Sequence, residues 1–222
     1  FGAGTQLNVR VGVNDYEHSE IEPNGEVATL FENKAIELRT EVIVKRENWT
    51  HAFGVQHSNR EFSAVGAEAF VPPVDTLSTG AFWVGERVFT HFDLEAGLRL
   101  GRTEHDPDNL TAEELEARME LGGARQNLEN LGGDDYSTYA ASLGLVVPAS
   151  DALRFGLAAD FSARAPVAEE LYAFGPHLAT RTFEIGNPDL DVETAASLAA
   201  TAEYRTDNLR FRGTVYHTCL LY

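Results

Sequence analysis

Cysteine, methionine and basic charge are what this chain has least of. Its 222 residues include one Cys and one Met, and 17 Lys and Arg stand against 35 Asp and Glu, for a net charge of -18. The single thiol, Cys219, cannot close an internal disulfide and reads as incidental. A balance this acidic repels phosphate backbones and argues against nucleic acid as a partner, while admitting metal cations and cationic ligands. Long apolar runs are also missing. No stretch approaches the roughly 18 residues of a spanning helix, although this does not exclude a membrane barrel, whose strands are short and alternate. Phe1-Gly2-Ala3-Gly4 has neither the basic start nor the apolar stretch of a signal peptide. Gly-x-Ser-x-Gly, phosphate loops, Cys-x-x-Cys and His-Glu-x-x-His are all absent, so nothing points to an enzyme.

What is present is alternation. In His91–Leu100, Phe92, Leu94, Ala96, Leu98 and Leu100 share one face, while Asp93, Glu95, Gly97 and Arg99 share the other. A period of two is that of a strand. The same pattern recurs at Leu7–Val13, Ile36–Val44, Tyr139–Val147, Leu153–Phe161, Ala196–Tyr204 and Leu209–Val215, and more noisily at Phe53–Val55 and at Phe82 and Val84 around Trp83. About nine strands of about ten residues follow, closer to the 9–11 residues of a membrane strand than to the 5–6 of a globular one.

The connections sort by length. Short ones fall at Arg46-Glu47-Asn48, Phe89-Thr90, Ala149-Ser150 and Thr206-Asp207, and long ones at 14–31, 59–79, 103–136 and 164–193, in strict alternation. Tight turns on one rim and long loops on the other mark an outer-membrane barrel. The face opposite the apolar one repeatedly carries Gly, Ser, Arg, Glu and Asp. Unpaired charges there would cost several kcal/mol each in a dry core but sit readily in a wet lumen. The expected fold is therefore all-β: an antiparallel transmembrane β-barrel meander, about nine strands of a larger barrel, with 1–222 forming part of one barrel domain. An odd count suggests a piece, since single-chain bacterial barrels have even numbers.

Several side chains are candidates for chemistry. His18 lies beside Glu17 and Glu20, and His105 beside Glu104, Asp106 and Asp108. Imidazole with carboxylate suits zinc, although neither spacing matches a tight metal motif, and solvated loop charge is the plainer reading. His51 and His91 fall near short turns and His57 on the outward face, as interfacial residues. Glu169 and Glu170 are adjacent and read as pointing to opposite faces of a strand, which is no glycosidase pair. Thr111 and Glu114 form a capping box for a short loop helix over 111–119. Gly175-Pro176 and Asn187-Pro188 read as turns.

Residues 162–205 carry a linked set: Arg164-Ala165-Pro166, Glu170-Leu171-Tyr172, Gly175-Pro176-His177, Ala179-Thr180, Gly186-Asn187-Pro188, Leu190 and Glu193. This set resembles the barrel of TonB-dependent outer-membrane receptors. Residues 62–73, FSAVGAEAFVPP, are similar to a loop in a branch that includes zinc-uptake receptors. The resemblance implies a receptor and transporter in the bacterial outer membrane that takes up a metal ion or metal chelate of the zinc, siderophore or haem class. It implies a barrel of about 22 strands around an N-terminal plug, with contacts to the lipid bilayer and lipopolysaccharide and to TonB through that plug. No plug or TonB box is legible in these residues. No cofactor is required, and zinc or a metal chelate enters as substrate. His177 and Glu68 are the implied metal ligands, too few by themselves for a zinc site. Residues 218–222 depart from the barrel pattern, leaving truncation or a shifted frame as alternatives. A passive porin or autotransporter translocator, and a soluble β-rich binding domain, are the alternative functions.

Overall fold

The computed structural model describes residues 4–22, 25–66, 69–111, 116, 131–177 and 182–221. Nine strands form one antiparallel sheet: β1 (Thr5–Ile21), β2 (Val27–Lys45), β3 (Trp49–Gly66), β4 (Val74–Val88), β5 (Asp93–Pro107), β6 (Asp134–Pro148), β7 (Leu153–Arg164), β10 (Glu193–Arg205) and β11 (Arg210–Leu221), each beside its predecessor in that order. Between β7 and β10 lie a short helix, α1 (Ala168–Tyr172), and a small hairpin of β8 (Phe174–His177) and β9 (Thr182–Ile185). Among the described residues no helix is long and apolar enough to cross a membrane.

The register carries one apolar row across the whole sheet. Leu7 faces Val42, which faces Phe53, and the row continues through Trp83, Leu98, Ala141, Phe161 and Ala196 to Cys219. One residue along, the row on the opposite face reads Asn8, Glu41, Gly54, Phe82, Arg99, Ala140, Ser162, Ala195 and Leu220. Among the described residues the apolar face meets no second sheet. Val13 is 76 % exposed, Leu100 70 % and Val215 72 %. Each such side chain left in water forgoes about 1.5–3 kcal/mol of burial, and a contiguous apolar face this wide marks a surface made for another apolar phase.

Aromatic side chains edge that face. Near the short turns, Trp49, His51, Phe53 and Trp83 cluster on it, with His51 centroids 4.5 Å from Trp49 and 5.7 Å from Trp83, and Trp83 Nε1 donating to His51 Nδ1 at 3.2 Å. Toward the long-loop end, Tyr139 stacks on Phe161 at 5.6 Å. Rings at both edges of an apolar band are what the two membrane interfaces select. The four short turns are closed by backbone bonds, including Arg46 N to Trp49 O at 2.9 Å and Phe89 N to Phe92 O at 2.9 Å.

Four expectations change. First, the strands run 12–19 residues, so the loop expected at 14–31 shrinks to 22–26 and that at 59–79 to 67–73. Beyond the lipid both faces are wet, and alternation disappears while the hydrogen-bond ladder continues. Second, Phe82 and Val84 lie on the polar face and Trp83 on the apolar one. Phe82 lies across from Gly54, where a Cβ would run into its ring, and the Arg39 guanidinium covers it at 4.2 Å. Three apolar residues in a row gave no parity to read. Third, Glu169 and Glu170 sit in α1, not in a strand. Fourth, Gly175-Pro176 lies inside β8 rather than in a turn, whereas Asn187-Pro188 does turn, with Asn187 Oδ1 accepting from Asp189 N at 3.1 Å. The helix expected over 111–119 lies, apart from Thr111 and Glu116, outside the described residues. Residues 218–221 pair with Thr194–Ser197 as a continuation of β11.

Candidate functional site

The molecule's buried core is not between layers of the sheet. It lies where residues 165–177 and 182–192 of the connection fold back as a cap over the polar face at the long-loop end. Leu171, Tyr172 and Phe174 of the cap pack with Val71, Val74 and Tyr136, with Phe62 and Phe70 at the margin. Pro166 cannot extend a ladder, so the chain leaves β7 there. Glu169 and Glu170 occupy the first turn of α1, where carboxylates complement the helix end.

Each part of the linked set has a task in this cap. Arg164 donates to Glu170 at 2.9 and 3.0 Å and to Glu193 at 3.0 Å, tying α1 to the β7–β10 ladder. Glu170 also accepts from Val167 N at 2.9 Å. A Cβ on Gly175 would come 2.9 Å from Phe70 Cα, and one on Gly186 would come 2.6 Å from Leu171 O. Both glycines therefore permit close backbone approach, and the bonds made there are short: Phe174 N to Phe70 O and Gly186 N to Ala173 O, both 2.6 Å. Tyr172 donates to Asp134 Oδ2 at 2.6 Å, and burial, then that carboxylate, hold its hydroxyl well above the ordinary tyrosine range.

The bond to Arg164 is the main cause that holds the Glu170 carboxyl below its ordinary value of 4.5, against the opposing effect of burial. A depressed carboxyl contributes stability that is fully present above that ordinary value and is lost as pH falls through the lower folded one. Acidification from about pH 6 to about pH 3 is thus expected to loosen the cap before the sheet. Hydrogen exchange by mass spectrometry over 165–177 measures this, and Glu170→Gln removes its share of the pH dependence.

The histidines separate from their acidic neighbours because successive side chains on a strand alternate. His105 turns to the polar face and is 4 % exposed, while Glu104 and Asp106 turn away. Its Nε2 donates to Pro166 O in the cap at 3.1 Å and its Nδ1 accepts from the Thr76 hydroxyl of β4 at 3.0 Å, so the ring ties the cap to the sheet. His18 stacks on Phe31, with ring centroids 4.7 Å apart, while Glu17 pairs with Glu32 on the other face. His177 takes part in β8 opposite Thr182, its side chain lying outside what the structure describes, as does Glu68. Among the described residues no group of three His, Cys, Asp or Glu is placed to hold a metal ion.

Below the cap the polar face carries a groove of about 510 Å³ bordered by Glu86, Glu95, Asp160, Arg154, Glu203 and Arg212. Glu86 and Glu95 lie directly opposite each other, a like-charge pair that a water-filled wall accommodates. A hollow of about 570 Å³ lies on the outward face between Leu143, Leu157, Leu198 and Val215, and its apolar lining belongs to the lipid side. The arrangement is a polar wall with a docked cap. Sequence reasoning quoted Arg164, Glu170 and Glu193 without seeing their bond, and missed Asp134 and Thr76, whose partners lie 38 and 29 residues away.

Comparison with solved structures places this architecture. The chain is similar to a structure described as "Copper transporter OprC", with a TM-score of 0.73 and 14 % identity over 97 % of this chain and 36 % of that one. It is also similar to the hemophore receptor HasR of Serratia marcescens, a double mutant in complex with its hemophore HasA and heme, with a TM-score of 0.65 and 13 % identity over 97 % of this chain and 40 % of that one. At these identities the likeness is one of fold, and the chain spans two fifths or less of either structure. The sequence profile described as "TonB dependent receptor-like, beta-barrel" matches residues 6–219, and the chain belongs to that family.

Proposed function

We propose that this chain is the wall of an outer-membrane receptor that imports a metal ion or metal chelate, energised through TonB. The observation that carries the reading is the two-sidedness of the sheet: an apolar row nine strands wide on one face, and on the other a polar wall with a docked cap. The two similar structures, one described as a copper transporter and the other bound to hemophore and heme, favour metal-containing cargo. Bilayer and lipopolysaccharide border the apolar face, and TonB acts through a plug outside residues 1–222. The chain does no covalent chemistry in this reading. Cells expressing the full-length protein should take up a metal chelate, and deletion of TonB should abolish that uptake. Uptake indifferent to TonB would instead favour the passive porin.

Within this reading zinc is the finer candidate, on the likeness of residues 62–73 to the zinc-uptake branch, with His177 and Glu68 as ligands. Further ligands must come from elsewhere in the receptor. Zinc calorimetry on the full-length protein should show affinity falling in both His177→Ala and Glu68→Ala. Unchanged affinity in both removes the pair.

A further inference from the structure

Where the turn 46–48 meets the ends of β3 and β4, an acidic chain carries a basic patch at the short-turn edge of its apolar face. Trp49 lies directly across from Arg87, and the Arg46 guanidinium stands 5.9 Å from the Trp49 ring centre. The turn is fixed from both sides, with Arg46 N donating to Trp49 O at 2.9 Å and Val88 N to Asn48 O at 2.8 Å. Arg46 Nη1 donates to Lys45 O at 2.8 Å, and the Arg87 guanidinium lies 4.7 Å from the Phe89 ring centre. Both arginines are exposed, and among the described residues neither has a carboxylate partner. Of the acids next to them in sequence, Glu86 belongs to the polar face and Glu47 stays exposed in the turn.

One step inside this rim sits His51. Trp83 Nε1 can only donate, so its bond to His51 Nδ1 leaves the imidazole N–H at Nε2, which meets no acceptor among the described residues. Gly85 lies across from His51, and a Cβ there would run into both the Trp83 ring and His51, so bare backbone is what lets the two rings settle at this level. A girdle of rings at a membrane interface requires no charge. Two guanidiniums without carboxylates at its outer edge, on a chain of net charge -18, select an anion. Trp49 and His51 are two residues apart along β3, roughly 7 Å. The guanidiniums therefore stand at the rim and the imidazole N–H one level deeper. A phospholipid presents its acceptors in that order, phosphate outside and ester carbonyls inside.

We propose that Arg46 and Arg87 clamp the phosphodiester of an anionic phospholipid beside Trp49, with His51 Nε2 donating to an ester carbonyl of the same lipid. This inference rests on the reading above that bilayer borders the apolar face, and it adds one specific lipid to that border. A guanidinium donates from two N–H groups to paired phosphate oxygens, which suits a clamp better than a point charge does. An ethanolamine ammonium would bring a further cation to a patch that already holds two, so phosphatidylglycerol is preferred to phosphatidylethanolamine.

The test is native mass spectrometry of the full-length protein, delipidated in detergent and titrated with phosphatidylglycerol or phosphatidylethanolamine. The wild-type protein should retain phosphatidylglycerol more tightly. Arg46→Gln combined with Arg87→Gln should weaken phosphatidylglycerol roughly tenfold and remove the preference, while Arg46→Lys with Arg87→Lys keeps part of it. His51→Phe should weaken both lipids alike, since both carry the ester. Arg102→Gln, on the outward face at the long-loop end, should change neither. Equal binding of the two lipids by the wild type, or phosphatidylglycerol binding unmoved in the double Gln variant, overturns the clamp and leaves the lipid-facing assignment of the sheet standing. If the wild type retains neither lipid, the clamp falls and that assignment loses support as well.

Discussion

Leu98→Arg is expected to destabilise the membrane-inserted protein by about 2–4 kcal/mol, the cost of a guanidinium near the middle of a lipid-facing band. Leu98 lies in the row that joins Trp83 to Ala141, between the aromatic edges of the apolar face. One step around the strand pleat the same side chain should cost little. Ser142→Arg places its guanidinium on the polar face, where Ser142 pairs with Asp160, and in a wet lumen its charge stays hydrated. Reversible unfolding in guanidinium from phospholipid vesicles measures both. A soluble sandwich makes the opposite assignment, tolerating arginine on a solvated outer face and rejecting it at a buried Ser142.

Phe174→Ala should cost about 3–5 kcal/mol, and the loss should be local. The Phe174 side chain is fully buried, packs edge-to-face on Phe183 at 5.4 Å, and lies in the cluster that joins the cap to Val71, Val74 and Tyr136. None of the nine sheet strands depends on it for backbone pairing. Hydrogen exchange over 165–177 should therefore accelerate strongly, while β5, β6 and β7 remain protected. Uniform loss of protection across the sheet would show that cap and wall unfold as one unit.

How much of this could be read from the sequence depended on where lipid lies. Leu94 to Leu100 and Leu153 to Phe161 were legible because one face touches hydrocarbon and the other water, which forces alternation into the residue types. The upper half of β1 was not legible. Asn14 to Glu20 have water on both sides, so a strand and a loop demand the same polar residues, and Tyr16 and His18 passed as loop. Trp83 was hidden by apolar neighbours on both sides. Arg164, Glu170 and Glu193 stood in a recognisable set, but the bond from Arg164 to Glu170 depends on α1, five residues long and too short to leave a helical period. The cap's docking was further out of reach, because Phe62, Val71, Val74 and Tyr136 come from separate parts of the chain and meet only after the sheet has formed. His105 shows the same limit: the flanking carboxylates suggested a metal cluster, and the pleat sends them to the other face.

Leu143 and Gly144 offer the most direct comparison of the two faces. They are adjacent, Leu143 is exposed on the apolar face, and a Cβ at Gly144 would meet nothing closer than 3.7 Å on the polar one. Nitroxide labels at Leu143→Cys and Gly144→Cys, in a Cys219→Ser background of the full-length protein in bilayers, can be relaxed by oxygen, which concentrates in lipid, or by a nickel chelate, which stays in water. The label at 143 should respond to oxygen and not to nickel, and the label at 144 should respond to nickel. A label at 143 shielded from oxygen, or relaxed chiefly by nickel, would contradict the assignment of that face to lipid.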